Sequence, residues 1–344
     1  MNKGKAILND RQLKVLYCIV KEYTKKGKPV SSNHILNHTS LDYSSATIRN
    51  DMRKLEYMGY IYQPHTSAGR IPTDSGIRFF IESIKNINKD LNDTNTNIAI
   101  KQTKRIGDIE TLLRKMSNLL AKLTNSLVII SKPAFNKLLI NSINIVNISD
   151  DYLNVTILTD LGVSKNISLF SNIERSRIQE YQSIINQIAV GKTTDELIQA
   201  INNFHLEKDK WYDSRLNDLI EFLNNILEIN IDEKFYTNGT EYLLKNEYLS
   251  NSDILKVINY LDNPNKLTDL FDIEYSDEEG KIFIGNEIDN EDLRNLAIFI
   301  APYKKNENNI GNIAILDSKV VDYERVFGYL LYTANRISET FSNR

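Results

Sequence analysis

The chain has 344 residues, of which 41% are hydrophobic and 25% charged, with a net charge of −3, the make-up of a globular protein able to bury a sizeable core. No stretch approaches the roughly 18 consecutive apolar residues that a membrane helix requires, and the opening MNKGKAILND lacks the apolar centre of a signal peptide. The single cysteine, Cys18, excludes an internal disulfide and a thiolate-rich zinc site, so a cytoplasmic protein is expected.

The charge is uneven. Residues 1–88 hold 14 Lys and Arg against 7 Asp and Glu, a net +7, which leaves 28 against 38, or −10, for the rest of the chain. A basic segment joined to an acidic remainder points to a polyanionic partner at one end. Within the basic segment, Asn9 reads as the N-cap of a first helix whose apolar positions Leu13, Leu16, Ile19, Val20 and Tyr23 recur at helical spacing and stop near KKGKP. Ser31 or Ser32 caps a short second helix through Leu36. Ser44 or Ser45 opens a third, which Gly59 ends. This is the order of a helix-turn-helix.

The third helix carries Ile48, Met52 and Leu55 on one narrow face and Ala46, Thr47, Arg49, Asn50, Arg53, Lys54 and Tyr57 around the other. Small residues near its start let a backbone approach a duplex, while Asn, Arg and hydroxyl groups suit base edges and phosphates. A short ribbon follows: Ile61 and Tyr62 lead into QPHTSAGR, Ile71 returns, and Thr73 caps a fourth helix. His65, Thr66, Ser67 and Arg70 offer donors there, with Arg70 open to either contacting DNA or bracing the ribbon. His34, His38 and Asp42 are spaced like metal ligands on a helix, but NHTSLDYS reads as a helix end and a turn, so no metal is expected.

Beyond the polar stretch KDLNDTNTN, a helix carries Ile106, Ile109, Leu112, Leu113, Met116, Leu119, Leu120 and Leu123. Four strand-like runs follow, SLVIIS, LLINSINIVNIS, DYLNVTILTD and GVSKNISLF, and then a helical block that includes TTDELIQAINNF and the stretch from Trp211. Strands resume at KIFIG, NLAIFIAPY and NIGNIAIL before a last helix from Asp322. A sheet interrupted by helices and then resumed suggests one domain inserted in another. Neither a phosphate-cradling glycine loop nor a nucleophile elbow nor a metalloprotease motif is present in the sequence, and no group of residues pairs a base with a nucleophile, so the chain reads as no enzyme.

The run SSATIRNDMRKLEYMGYIYQPHTSAGRIPTDSGIRFFI, residues 44–81, resembles the HrcA-type heat-inducible transcription repressors of bacteria, as does LNDRQLKVLYCIVKEYTKKGKPVSS at 8–32. IFIGNE at 282–287 resembles the family's strand ending in Ile-Gly-x-Glu, and Gly311, Asp322 and Tyr323 fit its final strand, turn and helix. Asp317 to Val321, DSKVV, departs from the family's usual Gly-Pro-x-Arg-Met turn. The resemblance implies an α+β multidomain fold: an N-terminal winged helix-turn-helix (1–87), a linker (88–103), a GAF-like α/β domain (104–172 and 232–344) and an inserted helical dimerising domain (173–231). It also implies a homodimeric negative regulator of transcription that binds double-stranded DNA at an inverted-repeat operator upstream of heat-shock chaperone operons. Its activity would depend on a GroEL-type chaperonin and be relieved on heat stress, with no cofactor. On this reading Ser45, Thr47, Arg49, Asn50, Arg53 and Lys54 face DNA from the third helix, and His65, Thr66, Ser67 and Arg70 from the ribbon. The competing expectation is a winged-helix regulator controlled by a small-molecule ligand in the GAF-like domain.

Overall fold

A computed structural model describes residues 8–38, 43–66, 68–84, 108–149, 152–170, 173–206, 221–222, 235–271 and 280–342. The linker expected at 88–103 and the helix expected from Trp211, apart from 221–222, lie outside them. The chain begins with α1 (Asp10–Lys26), α2 (Ser32–His38) and α3 (Ser45–Tyr57), then a ribbon of β1 (Ile61–Tyr62) and β2 (Ile71–Pro72), then α4 (Asp74–Ile84). Local chemistry sets these ends. Asn9 and Gln12 form a reciprocal capping box on α1, and Gly27 closes it in the left-handed region at φ 63°. Ser44, rather than Ser45, caps α3 by accepting from the Thr47 amide. Val15, Leu16, Ile19, Ile48, Leu55, Ile77 and Ile81 are buried together under these helices.

The larger sheet has five antiparallel strands in the order β7-β3-β10-β9-β8, built from β3 (Leu127–Ser131), β7 (Phe235–Asn238), β8 (Lys281–Ile284), β9 (Leu296–Lys305) and β10 (Asn308–Ser318). Its strands are apolar on both faces, and alternation assigns each residue to a layer. Val128, Ile130, Phe299, Tyr303, Ile313 and Ile315 face α5 (Ile109–Thr124) and α11 (Tyr323–Ser342). Their neighbours Leu127, Ile129, Ile298, Ile300, Ala314 and Leu316 face α8 (Thr240–Leu244), α9 (Asn251–Leu261) and α10 (Pro264–Phe271). The result is a mixed α/β fold with helices on both sides of this sheet.

The strands between 127 and 170 divide between two sheets. The strands β4 (Ile140–Ser149), β5 (Tyr152–Thr159) and β6 (Ser164–Phe170) pair only with one another, as a three-stranded antiparallel sheet. They share a separate apolar cluster with α6 (Ile178–Ala189), α7 (Thr194–Leu206) and Phe222. The five-stranded sheet breaks off after Ser131 and resumes at Phe235, with β4–β6 between them as a sheet of their own. β5 and β6 alternate buried and more exposed positions while β3 and β9 are buried on both faces, but neither pattern names the partner that a strand takes.

Candidate nucleic-acid interface

The interface is built on α3. Ile48, Met52 and Leu55 are buried against α1, as their spacing requires, and Asp51 is buried with them. A carboxylate in that stripe needs a partner. Arg11 supplies it from the first turn of α1, its Nε 2.5 Å and its Nη2 3.2 Å from the two Asp51 oxygens, while its guanidinium lies 5.3 Å from the centre of the Tyr43 ring. This pair locks the azimuth of α3 on α1. The sequence reading passed over it, because a single Asp beside a polar face looks like one more solvated residue.

With that face fixed, Arg49, Asn50, Arg53 and Lys54 are exposed on the opposite side, and Tyr57 projects at 94% exposure. Ser45 and Thr47 are half-buried and already engaged. The Ser45 hydroxyl donates to Asn33 Oδ1 at 3.2 Å, and the Thr47 hydroxyl pairs with that of Ser44 at 2.8 Å. Arg49 donates through Nε to Ser32 Oγ at 3.2 Å, which steadies its stem while leaving the residue exposed. Four cationic or amide side chains thus stand on one helix face, with two hydroxyl residues at its N-terminal edge.

The ribbon stands beside that face. His65 and Thr66 are exposed at its tip, and Ser67 lies outside the described residues. Gln63, which sequence reasoning did not single out, folds the tip by donating from Nε2 to the carbonyls of Thr66 and Ala68 at 2.9 and 3.0 Å. Arg70 turns away from the tip. Its side chain is 16% exposed and its guanidinium meets Glu56 of α3 at 2.9 and 3.1 Å, while its backbone exchanges two hydrogen bonds with Val30. Of the two roles open to Arg70, bracing the ribbon against α3 is the one its contacts perform. Glu56 sits 14 residues earlier on a different element, and no helical or strand period carries from one element to the next.

Among the described residues, no group of three or more His, Cys, Asp and Glu could hold a metal ion. The His34 imidazole instead pairs with Glu22 at 2.8 Å. Cys18 is buried, and burial pushes its thiol up to about 11. No helix among the described residues is long and apolar enough to cross a membrane.

A mixed α/β protein whose N-terminal helices present an exposed face of cations and amides is the class these features define. Residues 110–327 match the model of the HrcA protein C-terminal domain. The chain is 38% identical over 336 residues to the heat-inducible transcription repressor HrcA of Thermotoga petrophila, an alignment covering 98% of this chain and 95% of that one. It is 28% identical to the HrcA repressor of Lachnoclostridium phytofermentans, covering 97% and 98%. A crystal structure described only as that of a hypothetical protein superposes with a TM-score of 0.66 at 38% identity, covering 98% of this chain and 99% of that one. The chain belongs to the HrcA family.

Proposed function

We propose that this protein is a transcription repressor whose head is a winged helix-turn-helix, with α3 entering the major groove and the β1–β2 tip following the backbone or the neighbouring minor groove. The observation that carries the reading is the exposed Arg49, Asn50, Arg53 and Lys54 face, held outward by the pairing of buried Asp51 with Arg11, in a chain 38% identical to a protein named as a heat-inducible transcription repressor. Arg49 and Asn50 read base edges, Lys54 meets phosphate, and Arg53 lies between the two roles. His65, Thr66 and Ser67 serve the tip.

In this reading the five-stranded sheet with its helices is the GAF-like domain, and the unit containing β4–β6, α6 and α7 is the inserted dimerising domain. Val146 and Ile148 on β4 and Phe170 on β6 are 59%, 58% and 82% exposed at one end of the three-stranded sheet, an apolar group suited to a second copy of the chain. A twofold dimer then sets two heads on an inverted-repeat operator upstream of chaperone operons. A GroEL-type chaperonin maintains the active form, and heat stress relieves repression by drawing that chaperonin away. The protein works as a cytoplasmic regulator rather than an enzyme.

The test begins with selection of duplexes from a random pool by the full-length protein, followed by gel shifts on the enriched and scrambled sequences. Arg49→Ala and Asn50→Ala should each weaken the enriched site by about 1–3 kcal/mol and the scrambled one far less. Equal losses on both duplexes would remove the base-reading role. DNA binding is then measured before and after brief heating, with and without chaperonin. No effect of chaperonin on the recovery would remove the regulatory half of the proposal.

A second reading, control by a small ligand, draws on one feature. The Tyr236 hydroxyl is buried with no hydrogen-bond partner among the described residues, and it lines a cavity of about 600 Å3 together with Glu110, Arg114 and Asn238. A reproducible ligand-dependent rise in melting temperature, lost in Tyr236→Phe, would favour it.

A further inference from the structure

The head is fixed to the rest of the protein at two charged points on α4, one helical turn apart. Asp74, the first residue of α4, receives Lys319 Nζ on both carboxylate oxygens at 2.9 and 3.0 Å. Arg78, four residues on, donates to the Ile282 carbonyl at 2.6 Å and grips the Glu287 carboxylate with Nε and Nη2. The Asp74 carboxylate lies against Gly285, where a methyl group would overlap it. On the other side of the head, Glu324 at the start of α11 accepts from the Tyr17 hydroxyl at 2.8 Å and from Lys21 at 3.1 Å, and Lys25 lies 3.8 Å from Asp322.

The polarity of the two α4 pairs is opposite, and that fixes the seat. Sliding α4 by one turn, about 5.4 Å, would bring Arg78 to Lys319 or Asp74 to Glu287, like charges in either direction. Such an arrangement selects one register by penalising its neighbours. The selected register is transmitted to the DNA-facing helix through rigid contacts. Thr73, which caps α4, donates to the Gly59 and Tyr60 carbonyls just past α3, at 2.7 and 3.1 Å. The Phe80 ring of α4 packs 4.6 Å from the Tyr17 ring of α1, the helix that Asp51 ties to α3.

We infer that Asp74, Arg78, Glu287 and Lys319 are positioning residues for operator spacing: they set the orientation of α3 on the body, and so the separation of the two reading helices in the dimer. The inference rests on the proposed paired-head repressor. It assigns a specificity role to four residues that touch no DNA. Two heads on one operator gain about 100-fold or more over a single half-site, but only where geometry allows both to engage. A seated α4 confines that gain to one spacing, and a loosened one spreads it thinly over several.

The probe is the inverted repeat enriched from a random duplex pool by the full-length wild-type protein. Its two halves are kept at their selected spacing, moved apart by about half a helical turn, about 5 base pairs, or reduced to one half. The variants are Lys319→Glu, which sets a carboxylate against Asp74, Glu287→Gln, which weakens the second point, and the exchanged pair Asp74→Lys with Lys319→Glu. For Lys319→Glu and Glu287→Gln, affinity at the selected spacing should fall about tenfold and the preference over the shifted spacing should nearly vanish, with single-half binding within about twofold of wild type. The exchanged pair should recover the preference. Retention of the wild-type spacing profile by both single variants overturns the inference. So does tighter binding at the selected spacing, which would make the seat an inhibitory one. A wild-type protein indifferent to spacing would instead remove the paired-head reading itself, and this inference with it.

Discussion

Asp317 should make the stability of this protein rise as pH falls through the range just below neutrality. It lies near the end of β10 at the first position of the segment that departs from the usual turn of the resembling repressors, and is 7% exposed. Its carboxylate accepts from Ser126 Oγ at 2.5 Å, the Ser318 amide at 2.7 Å and Asn246 Nδ2 at 2.8 Å, but burial outweighs these donors and pushes it from 3.8 up to about 6. Because the folded value lies above the unfolded one, the native state holds the proton more tightly, and the ionised form carries a cost that is present above about pH 6 and fades toward pH 3.8. A shift of roughly two units corresponds to about 3 kcal/mol at full ionisation, and about 1.4 kcal/mol of it is recovered between about pH 7.5 and about pH 5. Urea unfolding followed by circular dichroism across that range, for wild type and Asp317→Asn, isolates this group from the other carboxylates, which titrate in both proteins. The wild-type curve should gain on the variant as pH falls. Parallel curves, or a wild type that loses ground on acidification, would refute the reasoning and mean that the three donors outweigh burial.

Gly69→Ala should destabilise the head by about 1–3 kcal/mol, read by urea unfolding, because a methyl group there would overlap the Val30 backbone where it bridges to Arg70. Leu55→Ala, at a fully buried position of α3, should cost about 2–5 kcal/mol, whereas Lys54→Ala beside it should leave the urea midpoint almost unchanged. Lys54→Ala should instead lower the slope of log affinity against log salt by about 1. Arg70→Ala should leave that slope intact while shifting the urea midpoint, and Glu56→Gln should shift it in the same direction, since the two side chains form one brace. A reduced salt slope for Arg70→Ala would return Arg70 to the DNA.

The sequence made the elements legible wherever a local signal marks an end. Asn9 and Ser44 are caps because their side chains reach an amide three residues on, a relation confined to one turn of chain. β3, β8, β9 and β10 of the larger sheet were visible as apolar runs, since burial on both faces removes the polar alternate positions. The grouping of strands into sheets was not, because β3 and β4 follow one another in sequence, yet β3 pairs with β10, some 180 residues away, and β4 with β5. Which partner a strand takes depends on long-range packing.

The same division runs through the candidate interface. That Arg49, Asn50, Arg53 and Lys54 share an exposed face follows from the helical period and the position of Ile48, Met52 and Leu55, so they could be named before any coordinates. Arg70 could not be assigned, because its role depends on Glu56, a residue on another element whose approach follows from the closing of the ribbon on α3. Asp51 was invisible for the converse reason. Its place in the buried stripe is periodic, but a buried carboxylate is admissible only with a partner, and Arg11 lies 40 residues earlier. Charged residues that recognise a ligand stay exposed and keep their pattern, while those that orient the recognising helix are paired across elements and lose it. A single sequence therefore shows the face that would meet DNA more readily than the pairs, Arg11–Asp51, Arg70–Glu56, Asp74–Lys319 and Arg78–Glu287, that decide where the face points.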